Sequence, residues 1–444
     1  MTSSLTTFFG LLGALLVLAF LANRLCKWTR VPDVIVLMIA GIVLGPVLHW
    51  VDGSRFSEVT RGFGTLALIL ILFAAGLELD FTKAMKQFGA GTVLALISYS
   101  LSLAGVTYFC VHALRLPMMP SLLVGATLAC LSGSILLPVL EQLEMRADVK
   151  TTLVIEASFG DGLGALGVSV LIDLEAGGSD IKSGWLPDLL ARAGLAPGSQ
   201  GSIAGAVTAI LLFKFLLALA LAVVAGYLWL RLLPLISDKQ FWQVLTFAAV
   251  LLLYAFTQAV GGTALFAVMA FGAALANLPD SRHSAGSFVF RILPPDPSRA
   301  IHSFHAELAF LVRSFFFVLL GVLVDFSGLH REFFASLGIV AVLFVARFLA
   351  VQISRVVWRG TTSREREVAT LLIPRGLITA VLALDAVRAM GGGLSFLTAM
   401  AFAVILLTNC LVLLAAVRAK DLILAAPPAP VAIEPSQSTS AWPS

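Results

Sequence analysis

Apolar segments long enough to cross a lipid bilayer follow one another along almost the whole chain. A helix needs about 20 mostly apolar residues to span the hydrocarbon core, and a scan finds thirteen such segments. Only 12% of the 444 residues are charged, about half the ~25% of soluble proteins, so a soluble globular fold is excluded. We predict an all-α polytopic membrane protein with about 13 transmembrane helices. The segments lie near residues 5–26, 33–50, 64–80, 91–114, 120–141, 149–174, 203–232, 240–259, 261–279, 303–325, 333–356, 367–389 and 394–419.

Basic residues predict how these helices are oriented. An odd number of helices places the two termini on opposite sides of the membrane. Eighteen Lys and Arg residues flank the segments on the side of the C-terminus, against seven on the other side. By the positive-inside rule, the C-terminus is cytoplasmic and the N-terminus outside, as expected for a protein of a bacterial inner membrane. The Pro- and Ser-rich stretch 421–444 is predicted to be a disordered cytoplasmic tail.

The carboxylates of Glu156 and Asp161 lie in the interior of one apolar segment, 151–174. A charged side chain at the bilayer centre costs a few kcal/mol even on lenient insertion scales, and such residues usually belong to ion or proton pathways. Glu156 and Asp161 are separated by five residues, which places them about 140° apart around the helix and about 7.5 Å apart along it. They therefore face different neighbours. We predict that Asp161 carries the ion or proton and that Glu156 supports the structure.

Four basic residues also fall within membrane segments and are candidates to pair with these carboxylates: Lys214, Arg313, Arg347 and Arg375. Lys214 is expected to snorkel towards the membrane surface. For Arg313 two roles stay open, an ion pair with Glu307 or a place in the wall of an inner funnel.

An internal repeat predicts how the helices are arranged. The third segment ends FAAGLELDF (73–81) and the tenth ends VLLGVLVDF (318–326), an offset of 245 residues. The two segments are seven helices apart, so they cross the membrane in opposite directions, as in an inverted-topology repeat. Asp80 and Asp325, at the ends of these segments, are interpreted as helix caps.

Equivalent segments of the two halves are both interrupted, by LSGSILLP (131–138) and by PRGLITA (374–380). Paired interruptions of this kind indicate two discontinuous helices that cross near the bilayer midplane. Pro374 removes a backbone donor and disfavours the preceding helical turn. The residues predicted to form the breaks and to offer hydroxyls or free carbonyls are Ser132, Gly133, Ser134, Pro374, Gly376 and Thr379.

Several strings, in this order and spacing, resemble the monovalent cation:proton antiporter superfamily. They are RVPDVIVLMIAGIVLGP (30–46), ALILILFAAGLELDF (67–81), EASFGDG (156–162), FFFVLLGVLVDF (315–326), VARFLAV (345–351) and PRGLITAVLAL (374–384). The resemblance implies a transmembrane antiporter domain over 1–420 and a homodimer. Core helices over about 91–174 and 333–419 would move against scaffold and dimerisation helices over about 5–80 and 203–325.

The resemblance also assigns roles to residues. Asp161 stands where the family has its essential ion-binding aspartate, and Glu156 matches a motif glutamate of electroneutral members. Arg347 matches the basic residue that faces the aspartate, and Arg375 matches the arginine of the second broken helix, a partner for Glu156. The chain departs from the family at Gly160, usually Asn, Asp or Gln, and at Leu131-Ser132, usually Thr-Asp.

These residues predict exchange of Na⁺ or K⁺ for H⁺. One buried carboxylate can hold either a proton or a cation, and alternating access carries each form across. With Gly160 leaving a single carboxylate, we expect electroneutral one-for-one exchange. The remaining oxygen ligands would come from Ser132, Ser134, Ser158, backbone carbonyls and water, as hard cations require.

Other functions stay open: a Kef-type potassium efflux system or cation channel subunit, and a member of the fold that transports another substrate or none. The sequence shows no nucleophile–base pair, phosphate-binding loop or metal cluster, so we expect no enzyme activity and no cofactor. Beyond the transported cation no metal is expected, and the partners are the lipid bilayer and a second copy of the chain, with no nucleic acid.

Overall fold

A computed structural model of the chain describes residues 2–29, 32–50, 57–78, 81–143, 145–175, 203–236, 241–277, 297–323, 329–358, 360–391 and 394–424. Within these ranges the chain is almost entirely helical. The α-helices are α1 (Thr2–Thr29), α2 (Asp33–Ile42), α3 (Ser57–Glu78), α4 (Phe81–His112), α5 (Met118–Ala129), α6 (Gly133–Gln142), α7 (Ala147–Glu175), α8 (Ile203–Leu232), α9 (Trp242–Ala259), α10 (Ala264–Asn277), α11 (Pro297–Val322), α12 (Leu329–Ile353), α13 (Ser363–Leu371), α14 (Leu377–Ala389) and α15 (Phe396–Leu424).

The prediction of an all-α integral membrane protein is confirmed. Among the described residues, eight spans are long and apolar enough to cross a bilayer, and four shorter apolar helices accompany them. Each of the thirteen predicted segments overlaps one helix or one pair of short helices. The number that cross the membrane stays a prediction. The predicted helix caps, Asp80 and Asp325, lie outside the described residues, as does the chain beyond residue 424. The first four residues of the predicted tail, 421–424, belong to α15.

Two discontinuous helices cross, as predicted. The first consists of α5 and α6, separated by the non-helical residues 130–132, and the second consists of α13 and α14, separated by 372–376. At the crossing, the backbone N–H of Ser132 donates to the carbonyl oxygen of Pro374 at 2.9 Å. Gly376 allows this approach, because a Cβ atom built there would lie 2.3 Å from Ser132 Oγ and 2.8 Å from Ser132 Cβ.

Two further pairs of helices touch through glycines. A Cβ atom on Gly41 of α2 would lie 2.1 Å from the carbonyl oxygen of Val318 on α11, and a Cβ atom on Gly321 would lie 2.9 Å from Gly41 Cα. In the same way, a Cβ atom on Gly272 of α10 would lie 3.2 Å from Gly76 Cα on α3. Because these backbones are in contact, α2 with α11 and α3 with α10 form two tightly packed pairs. Each pair joins a helix of the first half to a helix of the second, and two such equivalent contacts are what an inverted repeat would produce.

Candidate functional site

Helix α7 carries the three polar residues at the centre of the site, Glu156, Ser158 and Asp161, all of which are buried. Asp161 points at the start of α6, where the backbone N–H of Gly133 donates to Asp161 Oδ2 at 3.3 Å. This N–H is available because the first N–H groups of a helix have no partner inside it, and the helix dipole favours an anion there. Asp161 Oδ1 is buried without a hydrogen-bond partner among the described residues. One carboxylate oxygen is therefore held and the other is free.

Hydroxyl groups lie close to this carboxylate. Ser132 and Ser134 flank Gly133, and their Oγ atoms are 3.1 Å apart. Ser158 precedes Asp161 by about one turn of α7. The chain thus brings Ser132, Gly133 and Ser134 together beside Asp161. Thr379 is buried in the first turn of α14, and its hydroxyl oxygen has no hydrogen-bond partner among the described residues.

Two cavities approach Asp161 from opposite ends of α7. The first has a volume of about 180 Å³, lies between α3, α6, α7 and α11, and is lined by Gly133, Ser134 and Ser158 among others. The second has a volume of about 790 Å³ and is lined by Ala165 and Ser169 of α7, together with residues of α3, α9, α10 and α14. Ser158 and Ala165 are only about 10 Å apart along the helix. Along α7, Asp161 therefore lies between the residues that line the first cavity and those that line the second.

Glu156 forms an ion pair with Arg347 of α12, and both side chains are 1% exposed. Arg347 also donates through Nε to the carbonyl oxygen of Ala369 at 3.0 Å and through Nη1 to Ser98 Oγ at 3.4 Å. The predicted partners were different: Arg347 was expected to face Asp161. The reason is the rotation between the two carboxylates on α7, which turns Glu156 and not Asp161 towards α12.

Arg375 does not pair with Glu156, so that prediction was wrong. Its Nε donates instead to the carbonyl oxygen of Leu128 at 2.7 Å, at the end of α5. The last carbonyls of a helix have no internal donor and attract cations, so the break in the first helix supplies a partner for the arginine of the second. Thr408 and Asn409 of α15 hold the same segment, since Thr408 Oγ1 accepts from the Arg375 N–H at 3.2 Å and Asn409 Nδ2 donates to the Arg375 carbonyl at 2.9 Å.

Arg313 lines the first cavity, one of its two predicted roles, but its carboxylate partner is Asp33 of α2 at 2.8 Å and not the exposed Glu307. Asp33 was not expected to take part, because an acidic residue in the first turn of a helix is common for other reasons.

Lys214 is 5% exposed, which differs from the water-exposed ammonium that snorkelling would give. Sequence reasoning also missed Asn409, although a lone amide inside the apolar segment 394–419 was a visible signal.

Comparison with known proteins decides the family. The family model described as "Sodium/hydrogen exchanger, transmembrane" matches residues 13–419 of the chain. The protein belongs to the sodium/hydrogen exchanger family. The resemblance to monovalent cation:proton antiporters is thereby confirmed.

Relatives within this family support the assignment. The chain is 27% identical over 384 residues to Na(+)/H(+) antiporter 1 of Methanocaldococcus jannaschii, which covers 84% of this chain and 82% of the relative. It is 24% identical over 348 residues to the K(+)/H(+) antiporter NhaP of Alkalimonas amylolytica, covering 77% of this chain and 54% of that one. The solved structure of the sodium proton antiporter MjNhaP1 from M. jannaschii at pH 8 has the same fold, with a TM-score of 0.73 at 21% identity, over 92% of this chain and 99% of the other.

Proposed function

We propose that this sodium/hydrogen exchanger family member exchanges a monovalent cation, Na⁺ or K⁺, for protons by alternating access. The observation that carries the proposal is the position of Asp161 between two cavities, with one carboxylate oxygen held by Gly133 and the other free. A group in this position can receive an ion from either side with only small movements around it. The relatives named as Na⁺/H⁺ and K⁺/H⁺ antiporters support the same reaction.

A single carboxylate accounts for the exchange. With Asp161 ionised, Oδ1 binds the cation, and the hydroxyls of Ser132, Ser134 and Ser158, backbone carbonyls and water complete its oxygen shell. Protonation of Asp161 removes the charge that holds the cation, so the site carries either a cation or a proton. Asp161 is neutral with a bound cation and also with a bound proton. Glu156 adds no charge to the site, because Arg347 neutralises it. One cation would therefore exchange for one proton without net charge movement.

The family resemblance implies which parts move, and the packing supports the same division. A core of α4–α7 and α12–α15 carries Asp161, the crossing and the buried ion pair. A scaffold of α1–α3 and α8–α11 contains both glycine-mediated helix contacts, which would keep it rigid while the core moves. In the proposed orientation the C-terminus is cytoplasmic, and the first cavity then faces the cytoplasm. A homodimer through the scaffold is part of the proposal on the strength of the family resemblance.

Proteoliposomes with a pH-sensitive dye test this function. Protein is reconstituted with an imposed pH gradient, Na⁺, K⁺ and Li⁺ are added in turn, and each assay is repeated with the membrane potential clamped. We expect one or more cations to drive proton movement at a rate that does not change with the clamp, because both forms of the site cross uncharged. A rate that follows the clamped potential would contradict one-for-one exchange. If none of the three cations drives proton movement in correctly inserted protein, exchange of these ions is rejected.

A further inference from the structure

The carbonyl group of Ser134 lacks its normal partner. In an α-helix the carbonyl of residue i accepts from the N–H of residue i+4, and four residues after Ser134 stands Pro138, inside α6. Proline has no N–H to donate. A polar backbone group that is turned away from water must find another donor or it costs free energy. The sequence of α6 therefore leaves an acceptor open within its first turn, one residue after the Gly133 that holds Asp161.

Arg313 of α11 supplies the missing donor. Its Nη1 donates to the carbonyl oxygen of Ser134 at 3.2 Å, and its Nη2 donates to Asp33 Oδ2 at 2.8 Å. The arginine and Asp33 side chains are 14% and 13% exposed, and the guanidinium lies 5.8 Å from the centre of the Phe310 ring. The guanidinium is therefore fixed in direction by Asp33 and offers its second amino group to α6.

These two contacts join different parts of the molecule. Asp33 and Arg313 belong to α2 and α11, whose backbones touch at Gly41 and Gly321, so their ion pair lies within one tightly packed unit. The bond from Arg313 to Ser134 leaves that unit and reaches the broken helix that carries the site. If the core moves against the scaffold, the ion pair persists and the bond to Ser134 is one of the contacts that must break.

We propose that Arg313 is a positioning residue that docks the first turn of α6 on α11, stabilising the state in which the first cavity reaches Asp161. The inference rests on the proposed function only in that it assumes movement of the core. The hydrogen bonds of Arg313 go to Ser134 and Asp33 and not to Asp161. It acts through the Ser134 carbonyl, which Pro138 leaves without an internal donor.

A rescue experiment tests this mechanism. Arg313→Gln removes the charged donor, and Pro138→Ala restores the internal N–H that Ser134 otherwise lacks. One state is open to Asp161 from the first cavity and the other from the second. Loss of a hydrogen bond from a charged group should shift the equilibrium between these two states roughly tenfold. In the Pro138→Ala background the same Arg313→Gln change should have little effect, since Ser134 then has a partner of its own. Asp33→Asn should give a smaller shift in the same direction as Arg313→Gln.

Thiol labelling measures the balance without requiring transport. Ala306→Cys reports the first cavity and Ser169→Cys reports the second, each in protein whose native cysteines are replaced by alanine and treated with a membrane-impermeant reagent from either side. Arg313→Gln should slow labelling at position 306 and speed it at position 169, and Pro138→Ala should reverse both changes. Melting temperature controls for general loss of fold.

The outcomes separate the inference from the proposed function. Equal effects of Arg313→Gln with Pro138 and with Ala at that position would overturn the inference, because the arginine would then act by its charge in the cavity. Unchanged labelling in Arg313→Gln would also overturn it. The wild type could move no Na⁺, K⁺ or Li⁺ while the Arg313→Gln and Pro138→Ala variants still show the coupled labelling changes. That result would contradict the proposed substrates and support the role of Arg313.

Discussion

Glu156→Gln is expected to destabilise the protein by about 3–5 kcal/mol, because it leaves the Arg347 guanidinium buried without a counter-charge. Both side chains are 1% exposed, so water cannot replace the lost carboxylate. The measurement is the unfolding of purified protein in detergent, followed by intrinsic fluorescence. The midpoint should fall by many degrees, and less protein should be recovered from the membrane.

An exposed ion pair of the same type provides the control. Arg418 and Glu367 lie 3.2 Å apart, with side chains 59% and 47% exposed, and exposed pairs contribute little to stability. Glu367→Gln makes the same chemical change there and should leave the midpoint nearly unchanged. If Glu156→Gln and Glu367→Gln had equal effects, the buried pair would not be the structural support that the geometry indicates.

Gly376→Ala is expected to separate the two crossing helices and to abolish transport. A Cβ atom at this position would lie 2.3 Å from Ser132 Oγ, 2.8 Å from Ser132 Cβ and 2.8 Å from Ile135 Cδ1. Rotation of the Ser132 hydroxyl cannot relieve the contact with Ser132 Cβ, so the backbone must move. Overpacking of this kind costs about 1–3 kcal/mol, and the shift displaces the Gly133 N–H that holds Asp161.

Gly160→Ala is the matched control, at a glycine next to Asp161 itself. A Cβ atom there would lie 3.7 Å from Leu131, which is ordinary van der Waals contact, and alanine favours a helix more than glycine does. Transport should be retained in Gly160→Ala and lost in Gly376→Ala, with both proteins reconstituted at equal density. Normal transport by Gly376→Ala would show that the close approach of the two breaks is not needed for function.

The sequence predicts the features that depend on local order. The apolar segments and the two helix breaks can be predicted because local sequence determines them. Hydrophobicity marks the segments, and Pro374 and the Gly- and Ser-rich strings mark the breaks. Burial of Glu156 and Asp161 follows from the cost of charge in hydrocarbon. The family resemblance supports the prediction that Asp161, and not Glu156, carries the ion.

The partners of the buried charges could not be predicted, because they depend on how helices are rotated and packed. Nothing within the segment 333–356 indicates that Arg347 meets Glu156 and not Asp161. What the structure adds is a common principle: Arg347, Arg375 and Arg313 each donate to a carbonyl that a helix break or a proline leaves open, those of Ala369, Leu128 and Ser134 respectively. In the case of Ser134, the spacing to Pro138 was a signal in the sequence itself.

Competition between cation and proton at Asp161 is the central claim, and isotope exchange tests it most directly. Proteoliposomes loaded with ²²Na⁺, or with ⁸⁶Rb⁺ as a substitute for K⁺, are diluted into the same unlabelled ion at a series of pH values. In the wild type we predict cation exchange that is inhibited competitively by protons, since both bind one carboxylate. Asp161→Asn should abolish exchange at every pH while the protein keeps its melting temperature. Exchange in Asp161→Asn that still responds to pH would contradict the assignment of Asp161 as the shared site.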